Sequence, residues 1–365
     1  MTQNLLYKKP LQRILLITLR FLGDTLLTTP LLNSLRTAYP KAEIDVLVFK
    51  NTAAMLEGNP AIAHIVTIAQ KPTWQEQKTL FKRIFRRYDV AISTQAGDRP
   101  TLYACLAAKT RIGFVPPKPQ TGWFKRYFLT RWLEFDVQKT HTVLEMLRLC
   151  ELLNIAPIYQ LTAPQSHFDI KTVQGLTQNY AVLHILPQWR YKQWTRAGWL
   201  AVAHYLHNQG IQVVLSGSPL PQEITYLAEL QTECPENTLN LAGKLTLAEL
   251  AQLIKQACLF IGVDTGITHL AAATEVPTIA LFGATDPVKW TPWPAQYHST
   301  EPPFASKGSQ QVNNVYLIQG EKDCVPCYFE GCERHQQSHS DCLEQLPAKR
   351  VIKVIEQVIN SISFL

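Results

Sequence analysis

No stretch of this chain approaches the ~18 consecutive apolar residues of a membrane-spanning helix, and no low-complexity segment interrupts it. Several familiar motifs are missing too. There is no Gly-x-Gly-x-x-Gly, which disfavours a dinucleotide-dependent dehydrogenase, no Walker A loop and no His-Glu-x-x-His. A Gly-x-Ser-x-Gly nucleophile elbow is absent. So is Asp-x-Asp, which metal-dependent sugar transferases use to hold a nucleotide diphosphate through a cation. A diphosphate here falls to Lys, Arg and helix ends. Eight cysteines in 365 residues argue against a disulfide framework. The apolar run after Arg13 is short, ends at Arg20 and precedes no small-residue cleavage site. It reads as a strand and not as a signal peptide, and the expected location is cytoplasmic.

What is present is the composition of a globular protein: 46% hydrophobic and 17% charged residues, with aromatics well represented. At ~150 residues per domain the length favours two. The net charge of +7 favours anionic partners such as nucleotides, phosphorylated glycolipids or an acidic membrane face. That charge is the only support for nucleic acid, which is not expected as a partner.

Apolar runs and helical periodicity alternate along the chain. Strands are predicted at 12–18, 44–49, 65–68 and 90–93, with helices over 25–38, 74–87 and 140–153. Residues 154–173 are polar and hold Pro157 and Pro164, which places a domain boundary there: 1–172, then 173–365. The alternation then restarts. Strands are predicted at 181–186, 212–216, 258–263 and 278–282, and helices over 196–209, 221–231, 246–256, 268–274 and 348–361. Two successive βαβ-rich halves predict an α/β protein of two Rossmann-like domains facing a cleft.

Polar residues collect where strands end. Phe260-Ile-Gly-Val-Asp264-Thr265-Gly266-Ile-Thr-His269 reads as strand, turn and helix start. A helix N-terminus there suits a phosphate, whereas a capped helix with a core histidine is the structural alternative. Gly283-Ala-Thr-Asp286 repeats the plan after the next strand. Gly23-Asp24 follows the first strand, where an acid either caps a helix for ~1 kcal/mol or serves as a general base. Trp189-Arg190-Tyr191-Lys192 sets cations among aromatics, a pattern suited to a phosphate and a stacked ring or to a surface loop. Cys324-x-x-Cys327, Cys332 and Cys342, with His335 and His339 between them, have the ligand types of a structural zinc site. Two basic, aromatic segments, 81–87 and 123–132, suit an anionic membrane surface or are solvated faces.

Arg13-Ile-Leu-Leu-Ile-Thr-Leu-Arg-Phe-Leu-Gly23-Asp24-Thr-Leu-Leu-Thr-Thr-Pro30 resembles the N-terminal signature of glycosyltransferase family 9, the lipopolysaccharide heptosyltransferases. It looks most like the heptosyltransferase III branch. Val263-Asp264-Thr265-Gly266-x-x-His269, together with Pro277-Thr-x-Ala-Leu-Phe-Gly-Ala-Thr-Asp286-Pro, is similar to that family's donor signature. The resemblance implies a GT-B fold and inverting transfer of heptose from ADP-heptose to the lipopolysaccharide inner core. No cofactor is required on this reading. It implies an acceptor-binding N-terminal domain and a donor-binding C-terminal one. Asp24 then matches the catalytic base, and Lys192 matches a lysine on the donor phosphates. Asp264, Thr265, Gly266 and His269 match contacts to heptose hydroxyls and diphosphate, and Glu223 an acid on the nucleotide ribose. Where related enzymes carry Ser/Thr and Arg ahead of the lysine, this chain has Pro187 and Gln188.

The resulting expectation is a metal-independent glycosyltransferase, peripheral to the inner face of the inner membrane. Another nucleotide-sugar transferase, an epimerase and a non-catalytic glycolipid-binding scaffold are the alternatives.

Overall fold

Continuous apolar strands buried on both faces require helices on each side of a parallel sheet, and this arrangement occurs twice. The computed structural model describes residues 11–118, 122–135 and 140–362. The chain divides into two compact units. One runs to Pro164 and takes in His298–Glu301; the other comprises Gln165–Tyr297 and the chain from Pro302 onward.

The first unit contains β1 (Arg13–Thr18), β2 (Glu43–Phe49), β3 (His64–Ile68), β4 (Tyr88–Ser93), β5 (Ala108–Val115) and β6 (Arg131–Glu134). All are parallel, in the order β3-β2-β1-β4-β5-β6. Leu16 of β1 lies between Val46 and Ile92. The strand order reverses between β1 and β4, and ligands bind beyond the carboxyl ends of strands at such a point.

The second unit contains β7 (Tyr180–His184), β8 (Gln212–Ser216), β9 (Leu239–Asn240), β10 (Leu259–Val263), β11 (Thr278–Phe282), β12 (Gln310–Val312) and β13 (Val315–Gln319). Its order is β12-β13-β11-β10-β7-β8-β9. Only the edge strand β12 is antiparallel. Without it the six parallel strands repeat the order of the first sheet, now reversing between β7 and β10. Two such Rossmann-ordered units in series are the components of a GT-B fold.

Trp194 and Trp199 anchor the second core, their rings edge-to-face at 5.1 Å. Trp194 Nε1 donates to the Leu346 carbonyl at 2.9 Å, which ties the chain after Lys192 to the C-terminal segment. A Cβ on Gly198 would run into the Trp194 ring. Only glycine lets the helix Arg196–Asn208 approach so closely. Val351, Ile355 and Val358 of the last helix, Ala348–Ile362, complete this core.

Most predicted elements recur within a residue or two, and the departures have local causes. The sequence predicts one helix over 25–38; the structure has two, Leu22–Leu26 and Thr29–Ala38. The hydroxyls of Thr25, Thr28 and Thr29 donate to the carbonyls of Phe21, Thr25 and Leu26, which competes with a straight helix. Pro30 then starts the second helix, where no N–H is needed. The helix predicted over 74–87 stops at Ile84, and Arg86 adopts a positive φ of 53°. The one predicted over 140–153 is Thr142–Leu147 and Leu149–Leu153. The helix Asp98–Ala107, β5, the helix Trp123–Phe128 and β6 were not predicted.

Candidate active site

Asp24 follows β1 on the carboxyl rim of the first sheet. It is not an N-cap: Phe21 holds that position and makes no side-chain cap bond, and Asp24 lies in the first turn of Leu22–Leu26. An acid there faces the positive end of the peptide dipoles. Arg20 Nε lies 3.9 Å from Asp24 Oδ1, and the Asp24 side chain is only 14% exposed.

Four loops crown the carboxyl rim of the second sheet. After β10 come Asp264 and Thr265. Thr265 is the N-cap of the helix Gly266–Ala273, and its hydroxyl accepts from Thr268 N–H at 3.4 Å. Gly262, two residues before Asp264, has no room for a side chain: a Cβ would come within 2.8 Å of both Phe260 and Thr268 Oγ1. Thr268 in turn donates to the Val263 carbonyl, which fastens the helix to its strand.

Lys192 reaches this helix start from the loop after β7. Its Nζ lies 2.6 Å from Asp264 Oδ2, and both side chains are largely buried. The ammonium also sits over the rings of Trp189, at 5.0 Å, and Tyr191, at 5.8 Å. Those two rings are nearly parallel, with centroids 6.0 Å apart. The Trp189-x-Tyr191-Lys192 segment is therefore a cation cradle, not a solvated loop. Burial, together with the Asp264 charge, pushes the Tyr191 phenol up, so it is un-ionised at neutral pH.

His269 lies on the same helix, 5% exposed, and its Nδ1 has no hydrogen-bond partner. Burial drives its pKa down to about 4; Asp264 opposes the shift and Lys192 adds to it. Lys192, Asp264 and His269 thus form one electrostatic group, with Thr265 and Gly266 at its centre. The orphaned Nδ1 suits a ligand hydroxyl.

Glu223 stands on the loop after the neighbouring strand β8, in the first turn of Pro221–Gln231. Its Oε2 accepts from Ser218 N–H at 2.9 Å, and this holds the carboxylate at the rim. The remaining loop, after β11, carries Asp286. That residue caps Pro287–Trp290 and accepts from Val288 N–H at 3.1 Å. Burial raises the Asp286 pKa.

His184, at the end of β7, escaped the sequence reading. It is buried, its Nδ1 lies 3.0 Å from Ser216 Oγ, and burial lowers its pKa to about 4. The available signal was a polar residue closing an otherwise apolar strand, the same signal that marked Asp264.

All eight cysteines are free thiols. Burial first, then the neighbouring thiols of Cys327, Cys332 and Cys324, raises the Cys342 pKa to about 11. Cys324, Cys327 and Cys332 thus lie in the neighbourhood of Cys342. Among the described residues, however, the set whose ligand atoms all lie within 4.8 Å is Cys332, His339 and Asp341. His339 Nε2 lies 3.2 Å from Asp341 Oδ1. A sulfur, an imidazole and a carboxylate are zinc ligand types, but this trio differs from the four thiols that spacing alone suggests.

Residues 78–314 match the family described as Glycosyltransferase family 9 (heptosyltransferase). Over 290 residues the chain is 33% identical to lipopolysaccharide heptosyltransferase 3 of Escherichia coli (strain K12), covering 75% of this chain and 83% of that protein. Among solved structures it is similar to a family 9 glycosyl transferase from Veillonella parvula, with a TM-score of 0.76 and 19% identity over 96% of this chain and 97% of that one. It is also similar to E. coli heptosyltransferase WaaC with ADP, with a TM-score of 0.71 and 19% identity over 95% and 100%. These structural likenesses show the fold, GT-B.

Proposed function

The chain belongs to glycosyltransferase family 9, the heptosyltransferases, and from that premise we propose that it moves heptose from ADP-heptose to the lipopolysaccharide inner core with inversion. The observation that carries the donor assignment is the group Lys192, Asp264 and His269 around the start of Gly266–Ala273. A lysine held against aromatic rings beside a helix N-terminus is a site for an anionic diphosphate. The structural relative solved with ADP supports an adenosine diphosphate.

On this reading Asp24 removes the proton of the acceptor hydroxyl, whose oxygen attacks the anomeric carbon as the bond to the diphosphate breaks. Positive charge grows on the sugar ring and negative charge on the leaving ADP. Lys192 and the N–H groups near Thr265 and Gly266 stabilise that leaving charge. Asp264 and His269 contact heptose hydroxyls, and Glu223 the ribose. No step is routed through a metal. A zinc held by the cysteine segment 324–342, with Cys332, His339 and Asp341 among its ligands, would serve the fold alone.

The test is calorimetric titration of the full chain with ADP, ADP-heptose and UDP, without added metal. ADP and ADP-heptose are expected to bind, and Lys192→Ala to weaken ADP about tenfold or more, as for loss of a charge-assisted bond. A UDP preference, or unchanged ADP affinity in the variant, would refute the donor assignment. Zinc below one equivalent in the same preparation would remove the structural metal.

Peripheral membrane attachment is the remaining part of the reading. Among the described residues no helix is long and apolar enough to cross a membrane. The helices Trp74–Ile84, Asp98–Ala107 and Trp123–Phe128 are neighbours in the first unit. They and their ends expose Phe81, Phe85, Leu102, Trp123 and Tyr127, with the exposed Lys82 and Arg83 among them. Apolar rings with nearby cations suit an anionic lipid surface. Sedimentation with anionic vesicles at low salt is expected, weakened by salt and by Trp123→Ala with Tyr127→Ala. No association at low salt would remove the idea.

A further inference from the structure

The carboxyl rim of the second sheet has a further contributor beside its four loops. The chain from Gly320 to Leu346 packs against the rim on the β11 side. A Cβ on Gly283, just after β11, would come within 2.9 Å of Leu343 and 3.0 Å of Cys342 Sγ, and one on Gly320 would run into the Cys342 carbonyl. Val325 is buried in the second core. The segment is therefore fastened to the loop after β11, not draped over the surface.

Its exposed turn, Cys327–Glu330, borders two parts of the candidate donor site. Tyr328 donates its N–H to the Ala284 carbonyl at 3.2 Å, which ties it to the loop that carries Asp286. Partial desolvation, then the Asp286 charge, pushes the Tyr328 phenol up, so ring and carboxylate are neighbours. On the other side, Glu330 and Cys327 follow burial and Asp264 among the causes that raise the Tyr191 phenol. The same turn thus adjoins the Lys192 cradle and the loop after β11.

Two features separate Tyr328 from an ordinary surface tyrosine. Its φ is 61°, in the left-handed region that bulky side chains adopt at a cost. Yet its ring is 67% exposed, so burial of the ring in the core does not offset that cost. Residues held in such conformations cluster at ligand clamps.

The order of the rim indicates which part of a ligand the ring meets. The strands β8, β7, β10 and β11 are successive neighbours. Their loops carry Glu223, then Lys192, then Asp264 with the helix start, then Asp286. With the ribose at Glu223 and the diphosphate at Lys192, the donor runs along the rim and its sugar end points toward β11.

We propose that Tyr328 is a specificity-determining residue for the donor sugar, its ring covering one face of the heptose and its hydroxyl bonding a sugar hydroxyl. This assignment rests on the heptosyltransferase reading, which sets the direction of the donor. A phenol suits the task because it offers an apolar face to C–H groups and a directional O–H at its edge. A hexose, one carbon shorter, covers less of the ring.

The test measures binding of ADP, ADP-heptose, ADP-glucose and UDP to the full chain and to two variants by calorimetry. Tyr328→Asn removes the ring and keeps a residue that tolerates the left-handed backbone. Tyr328→Phe removes the hydroxyl alone. Tyr328→Asn should weaken ADP-heptose about tenfold, the size of one aromatic contact. It should leave ADP unchanged and narrow the preference for ADP-heptose over ADP-glucose. Tyr328→Phe should fall between wild type and Tyr328→Asn. In transfer assays Tyr328→Asn should raise KM for ADP-heptose and leave KM for the acceptor unchanged. Equal ADP-heptose affinity in wild type and Tyr328→Asn overturns the proposal. So does an equal loss for ADP and ADP-heptose, which would mean that the ring only braces the loops around the diphosphate. A rise confined to KM for the acceptor overturns it as well. Failure of the heptosyltransferase reading is distinguishable, because it shows in the wild type as a preference for UDP over ADP, and the sugar assignment then falls with it.

Discussion

Asp24→Asn is expected to lower heptose transfer by about 10²–10⁴-fold, the range for loss of a general base, while ADP affinity and thermal stability stay close to wild type. The reason is local. Asp24 sits in the first turn of a five-residue helix, not at its N-cap, so the asparagine keeps the shape and the backbone loses no cap. Arg20 Nε lies 3.9 Å from Asp24 Oδ1, too long for a strong hydrogen bond between those two atoms. Steady-state transfer to purified lipopolysaccharide acceptor, read beside ADP calorimetry, separates the effects. Transfer within a few-fold of wild type would sink the base assignment. Equal loss of turnover and of ADP affinity would show a structural role instead.

Acid should destabilise the second unit well before its carboxylates titrate. His184 and His269 are buried, and burial lowers each pKa from 6.5 to about 4. The folded state therefore resists protonation that the unfolded chain accepts. The stability linked to these groups is full above pH 6.5 and is lost as pH falls through 6.5 toward 4. A shift of this size corresponds to about 3 kcal/mol for each histidine, a large share of a typical ~5–15 kcal/mol. Urea unfolding between pH 7.5 and 4.5 should show a falling midpoint, and His184→Gln should flatten the dependence. A midpoint independent of pH, or a slope the variant leaves unchanged, would contradict the buried neutral state. ADP binding should oppose the loss if its diphosphate lies against Lys192, because a ligand bound only to the folded state stabilises it.

Much of this was legible in the residues. Runs such as Cys258 to Val263 are apolar without alternation, which only a strand covered on both faces tolerates. The polar residues that close them, Asp24 and Asp264, therefore had to lie on a carboxyl rim. Other parts were not. The segment 123–132 reads as one basic, aromatic stretch, yet it is a helix, then the edge strand β6, with Lys125 turned inward to Asp98. Nothing local reveals a lysine's partner in another element. The four-cysteine spacing suggested one ligand set, and the loop's path placed His339 and Asp341 nearest to Cys332.

The sequence by itself determined the kind and order of most of the elements, the two-fold repetition of the α/β plan and several residues at the strand ends, because periodicity, turns and capping act over a few residues. Tertiary structure alone decided that β4 pairs with β1 and β10 with β7, that Lys192 meets Asp264, that two histidines are held neutral, and that Tyr328 is tied to the loop after β11. Each of these depends on which loops the strand order brings together and how far they exclude water. Both arise from contacts distant in sequence, and no local pattern encodes them.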